Sequence, residues 1–419
     1  MKLLHCAVSL VTLCALAACA APHNSMLPAS SSTFRAVADT ATGLPGTDTA
    51  TGLPGTDTAT GLPGTDTATG LPGDTATGLP GASFACAPSA QEGQARCTLA
   101  INTNVSPSAN PNAPAAMIQG LHPSDLAGAY GLPTQNDGML VAIVDAYDDP
   151  TVEADLNVYR SAFGLTACTT ANGCFRKVDQ RGTSTATTVY PAPDAGWSEE
   201  ISLDVEMVSA VCPNCRILLV ETNSALMDDL GAGVDAAVAL GARVISNSYY
   251  ATEWANERGE DVHYNHPGVA ITVSSGDLGR TSYPAASSYV TAVGGTSLSR
   301  GTTGWSQSAW KYGGHGCSTY VARPDWQSIA PCRSRAAVDL SAVADPQTGV
   351  AMYDAQAGGW LVAGGTSVGA PLVAAAYALS GNPQSPGYLY RHRFEFNCLT
   401  STGYDLATGL GPLQGILGL

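Results

Sequence analysis

Arg216-Ile217-Leu218-Leu219-Val220-Glu221, the segment from Asp228 to Ala242, and Val244-Ile245-Ser246-Asn247-Ser248-Tyr249 follow one another as apolar run, helical spacing, apolar run. A continuous apolar run of strand length is how a strand buried on both faces reads, because neither face alternates with polar side chains. The pattern extends in both directions. Upstream, Gly138-Met139-Leu140-Val141-Ala142-Ile143-Val144-Asp145 is a run of the same kind ending in an acid. Downstream, Gly268-Val269-Ala270-Ile271-Thr272-Val273-Ser274-Ser275-Gly276-Asp277 is a fourth, again ending in an acid. Asp155 to Phe163 and the stretch around Glu200 to Val208 have helical spacing. Strand and helix alternate, which predicts a doubly wound α/β domain with a mostly parallel sheet and helices on both faces. Ligands on such sheets bind beyond the carboxyl ends of the strands, where Asp145 and Asp277 lie.

Composition narrows the function. Of 419 residues, 34 are Asp or Glu against 18 Lys or Arg, a net charge of −16. Phosphate binding needs clustered cations, so a nucleic-acid partner is excluded on that balance. With 45% hydrophobic and only 12% charged residues, the chain has ample material for one large core.

The N-terminal part reads differently. Met1-Lys2 leads an apolar run from Leu3 to Ala18 that closes on Leu16-Ala17-Ala18-Cys19. The run is short for a spanning helix, and small residues before a cysteine resemble a bacterial lipoprotein signal. Cys19 would then carry lipid and anchor an exported protein, with outer-membrane sorting, on the periplasmic face or cell surface. An ordinary signal peptide with a chance cysteine is the other reading. From Asp39 the unit Asp-Thr-Ala-Thr-Gly-Leu-Pro-Gly recurs, starting again at Asp48, Asp57, Asp66 and Asp74. So short a period, with Pro-Gly in each unit, buries no apolar face and reads as a flexible tether. The expected division is a signal over 1–18, Cys19 plus tether over 19–84, a disulfide-bearing extension over 85–120, and the main domain over 121–419.

Two stretches carry chemistry. Gly364-Gly365-Thr366-Ser367-Val368-Gly369-Ala370-Pro371 runs into an apolar helical segment. Glycine lets backbone approach a substrate, and Ser367 at a helix N-terminus is placed where negative charge is favoured. Taken alone, the serine is either a nucleophile or the cap of a buried helix. With the helix starting near Val368, Pro371 would break no ladder bond. In the second stretch, Glu200 and Asp204 are four apart and share a helix face. Two carboxylates there repel unless they share a proton, which makes the pair a usable base. The alternative is an exposed acidic face, to which Glu199 and Glu206 would also belong.

Glu200-x-x-x-Asp204, Ser274-Ser275-Gly276-Asp277 and Gly365-Thr366-Ser367-Val368-Gly369-Ala370-Pro371, in this order, resemble the sedolisins, the serine-carboxyl peptidases. The resemblance covers roughly Leu121 to the C-terminus and includes Val141 to Asp145 and Gly403-Tyr404-Asp405 to Gly411. It implies a subtilisin-like fold and hydrolysis of protein or peptide substrates. Ser367 would be the nucleophile, Glu200 the general base, Asp204 its tuning partner and Asp277 the donor to the oxyanion. Asp277 must be protonated to donate, which implies work on the acidic side of neutral. Subtilisin-like enzymes with a histidine base are the nearest competitor, yet none of the seven histidines stands in a His-Gly-Thr-His-type helix start.

The chain also departs from that family. Most sedolisins carry a long N-terminal pro-domain, for which the tether and short extension are too small. A C-terminal calcium site is a family feature. Ser401-Thr402-Gly403-Tyr404-Asp405 matches part of its loop, making Ser401, Gly403 and Asp405 candidate metal ligands. Arg393-Phe394-Glu395-Phe396-Asn397-Cys398 stands where a further aspartate belongs. Calcium takes several oxygen ligands, so the site is expected to be weakened or lost. Pairing neighbours gives disulfides Cys86–Cys97, Cys168–Cys174, Cys212–Cys215 and Cys317–Cys332, leaving Cys398 over. Cys212-Pro213-Asn214-Cys215 alone also reads as a zinc half-site or a redox pair. The expected protein is an exported, monomeric endopeptidase held to a membrane by lipid. An inactive surface-binding or adhesion descendant is the alternative, and a solute-binding lipoprotein a third reading.

Overall fold

The computed structural model describes residues 79–133 and 138–419. The signal-like region, Cys19 and the repeats up to residue 78 lie outside the described residues. The described chain opens with three short strands, β1 (Ala82–Phe84), β2 (Arg96–Cys97) and β3 (Ala100–Asn102), and then α1 (Pro123–Tyr130). In α1 the cap is His122, whose backbone N–H donates to Asp125 Oδ2 at 3.0 Å. Ser124 lies inside the first turn, behind Pro123, which needs no partner there.

The alternating region then forms as its patterning predicts. It runs β4 (Leu140–Ala146), α2 (Val152–Ala162), β5 (Phe175–Asp179), α3 (Ala195–Val211), β6 (Arg216–Thr222), α4 (Met227–Ala239) and β7 (Val244–Asn247). After β8 (Tyr249–Thr252) and the short α5 (Asp261–Tyr264) comes β9 (Ala270–Ser274). The rest comprises β10 (Ser282–Tyr283), β11 (Thr291–Gly301), β12 (Gly304–Ala309), β13 (Cys317–Ala322) and β14 (Ser334–Ala336). It continues with β15 (Leu340–Val343), β16 (Val350–Asp354), β17 (Gly359–Gly364), α6 (Thr366–Ser380) and α7 (Gly387–Arg391).

The main sheet has the order β12-β11-β9-β7-β4-β6-β5, with β15 also paired to β11. Every pair in it is parallel except β11 with β12. The four apolar runs are its central strands. The run from Val244 to Tyr249 splits at Ser248, because β8 leaves the main sheet and pairs with β2 and β10 instead.

Two helices form the interior. α6 is buried from Thr366 to Leu379 and packs against α3 and against β7, β9, β11 and β15. α3 lies between α6, α2, β4 and β16, and is buried along nearly its whole length. An exposed acidic face on α3 is thereby overturned. Glu200, Asp204 and Glu206 are all fully buried, and only Glu199 is partly open. Glu206 Oε2 accepts the Tyr353 N–H of β16 at 3.0 Å, so it serves the neighbouring strand and not solvent.

The segment before residue 120 is threaded through the domain. β3 lies between β1 and β17 in a four-stranded antiparallel sheet, and β2 sits at the edge of the β8 sheet. The four disulfides join Cys86–Cys97, Cys168–Cys174, Cys212–Cys215 and Cys317–Cys332, and Cys398 is free and half-buried. Among the described residues, no helix is long and apolar enough to cross a membrane.

Candidate active site

Ser367 occupies the second position of α6, which begins two residues earlier than the sequence suggests. Pro371 therefore falls in the second turn, where it does remove a ladder donor. The carbonyl deprived of that donor, four residues back, is the one belonging to Ser367. Ser248 Oγ lies 3.5 Å from it. Gly365, just before the helix, holds φ at +91°, a left-handed value that glycine alone takes without strain. A β-carbon there would overlap the Thr98 carbonyl oxygen and lie 2.7 Å from Asp277 Oδ2.

Asp277 follows β9 and is locked to the start of α6. Its Oδ1 accepts the Thr366 N–H at 2.9 Å and the Thr366 hydroxyl at 2.8 Å. Its Oδ2 is buried and has no hydrogen-bond partner. Burial pushes the Asp277 pKa up to about 7, against the lowering effect of the Thr366 bonds and of Arg96. The proton, when present, belongs on Oδ2, since Oδ1 is already accepting twice.

Glu200 and Asp204 occupy successive turns of α3, and a third acid joins them from β4. Both oxygens of Asp145, both of Glu200 and Asp204 Oδ2 are buried without a hydrogen bond of ordinary geometry. Asp204 Oδ1 accepts the Ser248 hydroxyl at 2.8 Å. Glu200 is raised well above the carboxylate range, first by burial and then by the charge of Asp145. The Ser367 hydroxyl and the Leu99 N–H act the other way and favour its ionised form. Asp204 is raised by burial, then by Asp145 and Glu200, and burial lifts Asp145 to about 8. Three carboxyls at one buried point cannot all ionise, so they titrate as a group that keeps protons well above pH 4.

Sequence reasoning named Glu200, Asp204, Asp277 and Ser367, and the structure brings all four to one place. It missed three neighbours. Asp145 was placed at the ligand-binding end of a strand but given no role beside Glu200, and Ser248 was read only as part of an apolar run. Thr98, whose Oγ1 lies 2.5 Å from Ser367 Oγ, carried no signal, because it lies in a link between two short strands far away in the chain.

The described histidines are engaged elsewhere. His263 and His266 grip Asp235 at 2.7 and 3.0 Å. His122, His315 and His392 contact the carbonyls of Ile118, Gly313 and Tyr388.

Of the candidate calcium residues, Asp405 is engaged within its own turn. Asp405 Oδ1 already accepts the N–H groups of Ala407 and Thr408 and the Thr408 hydroxyl, at 2.9 to 3.1 Å. Among the described residues, no group of three His, Cys, Asp or Glu side chains is arranged to hold a metal. Asp405 instead closes its own turn with Gly409.

Comparison with known proteins agrees with this geometry. Residues 169–394 match the Peptidase_S8 family, the subtilases, over more than half of the chain.

The chain belongs to the subtilase family.

Within that family this subtilase is 27% identical over 389 residues to xanthomonalisin of Xanthomonas sp. (strain T-22), aligned over 72% of this chain and 45% of the relative. It thus spans less than half of that relative's length. Its fold is also that of Pseudomonas sedolisin, described as a serine-carboxyl proteinase and solved with pseudo-iodotyrostatin. That match has a TM-score of 0.59 at 23% identity, and covers 71% of this chain and 96% of the other.

Proposed function

We propose that this subtilase is an endopeptidase that cuts protein or peptide chains through an acyl-enzyme on Ser367, with carboxyl groups in place of the histidine. The observation that carries the reading is the meeting of Ser367 with Glu200, Asp204, Asp145 and the unpartnered Oδ2 of Asp277, in a place that no described histidine reaches. Ser367 Oγ attacks the substrate carbonyl carbon while its proton passes to Glu200. Asp204 and Asp145 share the protons of the group with Glu200, and burial keeps Glu200 basic. The protonated Oδ2 of Asp277 donates to the developing oxyanion. Glu200 then returns its proton to the leaving nitrogen, and water removes the acyl group by the same steps in reverse.

We further propose that the protein is exported, with a lipid on Cys19 as the anchor and the Asp-Thr-Ala-Thr-Gly-Leu-Pro-Gly repeats as the spacer. A protein with four disulfides suits an oxidising compartment.

The test is hydrolysis of an unfolded protein substrate from pH 3 to 8, followed for hours, by the full chain beside Ser367→Ala and Glu200→Ala. Peptide release below neutral pH, absent from both variants, is the expected result. No release from the wild type at any pH, or equal release from the variants, rejects the peptidase.

A further inference from the structure

The described chain begins inside the fifth repeat unit, at Leu79-Pro80-Gly81. These residues form a tight turn in which the Ala82 N–H donates to the Leu79 carbonyl at 3.1 Å. Proline at its second position and glycine at its third, with φ of +68° at Gly81, make it a type II turn. Leu79 is buried with Trp310, Ala344 and Ala100, and Tyr312 packs at the side. The Gly81 carbonyl accepts Gln347 Nε2 and the Thr103 N–H, each at 3.0 Å. A β-carbon at Gly81 would overlap the Asn104 side chain, so the seat selects the glycine as well as the leucine.

The three residues that make this turn recur. Leu-Pro-Gly stands also at 44–46, 53–55, 62–64 and 71–73. The turn's closing hydrogen bond uses backbone groups alone, so it is open to the Thr or Asp that follows in those units as it is to Ala82.

Beside the seated turn lies an open cavity of about 350 Å³, the size of a small-ligand site. Leu79 and Pro80 form one wall, and Trp310, Tyr312 and Pro346 supply most of the other apolar surface. The Trp310 and Tyr312 rings meet edge to face with centroids 5.8 Å apart, the kind of aromatic surface on which proline-containing segments pack. Lys311 also lines the cavity, its Nζ 4.6 Å from the centre of the Tyr312 ring. Residues 39–81 contain five aspartates and no Lys, Arg or His, so that cation complements every unit.

We propose that this cavity takes a second Leu-Pro-Gly turn of the same chain, Leu71-Pro72-Gly73, with Asp74 beside Lys311. Residues 74–78 separate that turn from Leu79. Five residues span up to about 17 Å, enough to return to a cavity that Leu79 itself walls. So short a link presents the turn at an effective concentration on the order of millimolar, and a weak fit suffices. The inner end of the tether is then fastened to the domain, and the units before it act as the spacer. The docking does not depend on the peptidase reading.

The experiment labels the full-length chain with 5-fluorotryptophan and identifies the Trp310 fluorine resonance by Trp310→Phe. The variant carrying Leu71→Ser and Pro72→Ala changes no residue of the described fold. The expected result is a shifted Trp310 resonance in that variant, restored by the peptide Thr-Gly-Leu-Pro-Gly-Asp-Thr and not by a scrambled one. Adding Lys311→Ala should weaken the peptide's binding by about threefold, as for an exposed ion pair. An unchanged Trp310 resonance in the variant, or recovery with the scrambled peptide, overturns the docking. A difference between wild type and variant that disappears on tenfold dilution assigns the cavity to a segment of a second copy and overturns docking within one chain.

Discussion

Asp277 divides its carboxyl group between two tasks. Oδ1 orients the residue through Thr366, and Oδ2 is left for the oxyanion. The division has a pH consequence. A group with a pKa near 7 donates below that pH and loses its proton above it. Activity is expected to fall as pH rises through about 7. Asp277→Asn replaces the titrating donor with an amide, so a kcat/KM profile should lose its alkaline limb while dropping roughly 10²-fold for a weaker donor. A variant with wild-type rate and an unchanged limb would remove Asp277 from the mechanism. At this scale Glu200, Asp204, Asp277 and Ser367 were legible because each sits in a short motif. Asp145 was visible as an acid ending a strand, but nothing in a linear pattern says that β4 points it at α3. Thr98 was illegible altogether, since its place depends on two strand pairings with residues some 150 and 265 positions away.

Among the elements, strands were read well and helix faces badly, for a physical reason. A strand buried on both sides leaves an apolar run in the sequence, whereas α3 is buried on both sides and yet carries acids. Their charge is suppressed by burial, which no periodicity records. Glu206 shows the cost. Burial raises its pKa well above the carboxylate range, and the acids of Asp155, Asp354 and Asp149 add to the effect. The folded state therefore holds a proton that the unfolded chain releases above about pH 4. Stability linked to Glu206 is full below that pH and is lost as pH rises towards the folded pKa. Glu206→Gln retains an oxygen for the Tyr353 N–H and has no charge to bury. It should leave the denaturation midpoint in urea unchanged near pH 3.5 and raise it at pH 8. Destabilisation at pH 8 would mean that Glu206 is ionised and paired in the native protein. α6 is the second case. Its start was placed near Val368 on the assumption that Pro371 needs the first turn. The fold tolerates the proline two residues further in, where Ser248 lies beside the carbonyl left without a donor.

For the whole molecule, the fold class was legible from the alternation of runs, and the four disulfides from the cysteine spacing alone. The role of the residues before 120 was not. They read as an extension because their strands are two or three residues long, too short for any periodicity, and they form only against β8 and β17. Their position ties the folding of the domain to the covering of its site. The central claim is that a carboxylate does the work of a histidine. It is tested most directly by kcat/KM from pH 3 to 8 for the wild type and Glu200→Gln. The amide keeps the shape of the side chain and cannot accept the serine proton. Serine-based hydrolysis that peaks below neutral pH in the wild type and falls by about 10³-fold or more in Glu200→Gln is the predicted result. A Glu200→Gln enzyme within tenfold of the wild type across that range would contradict it.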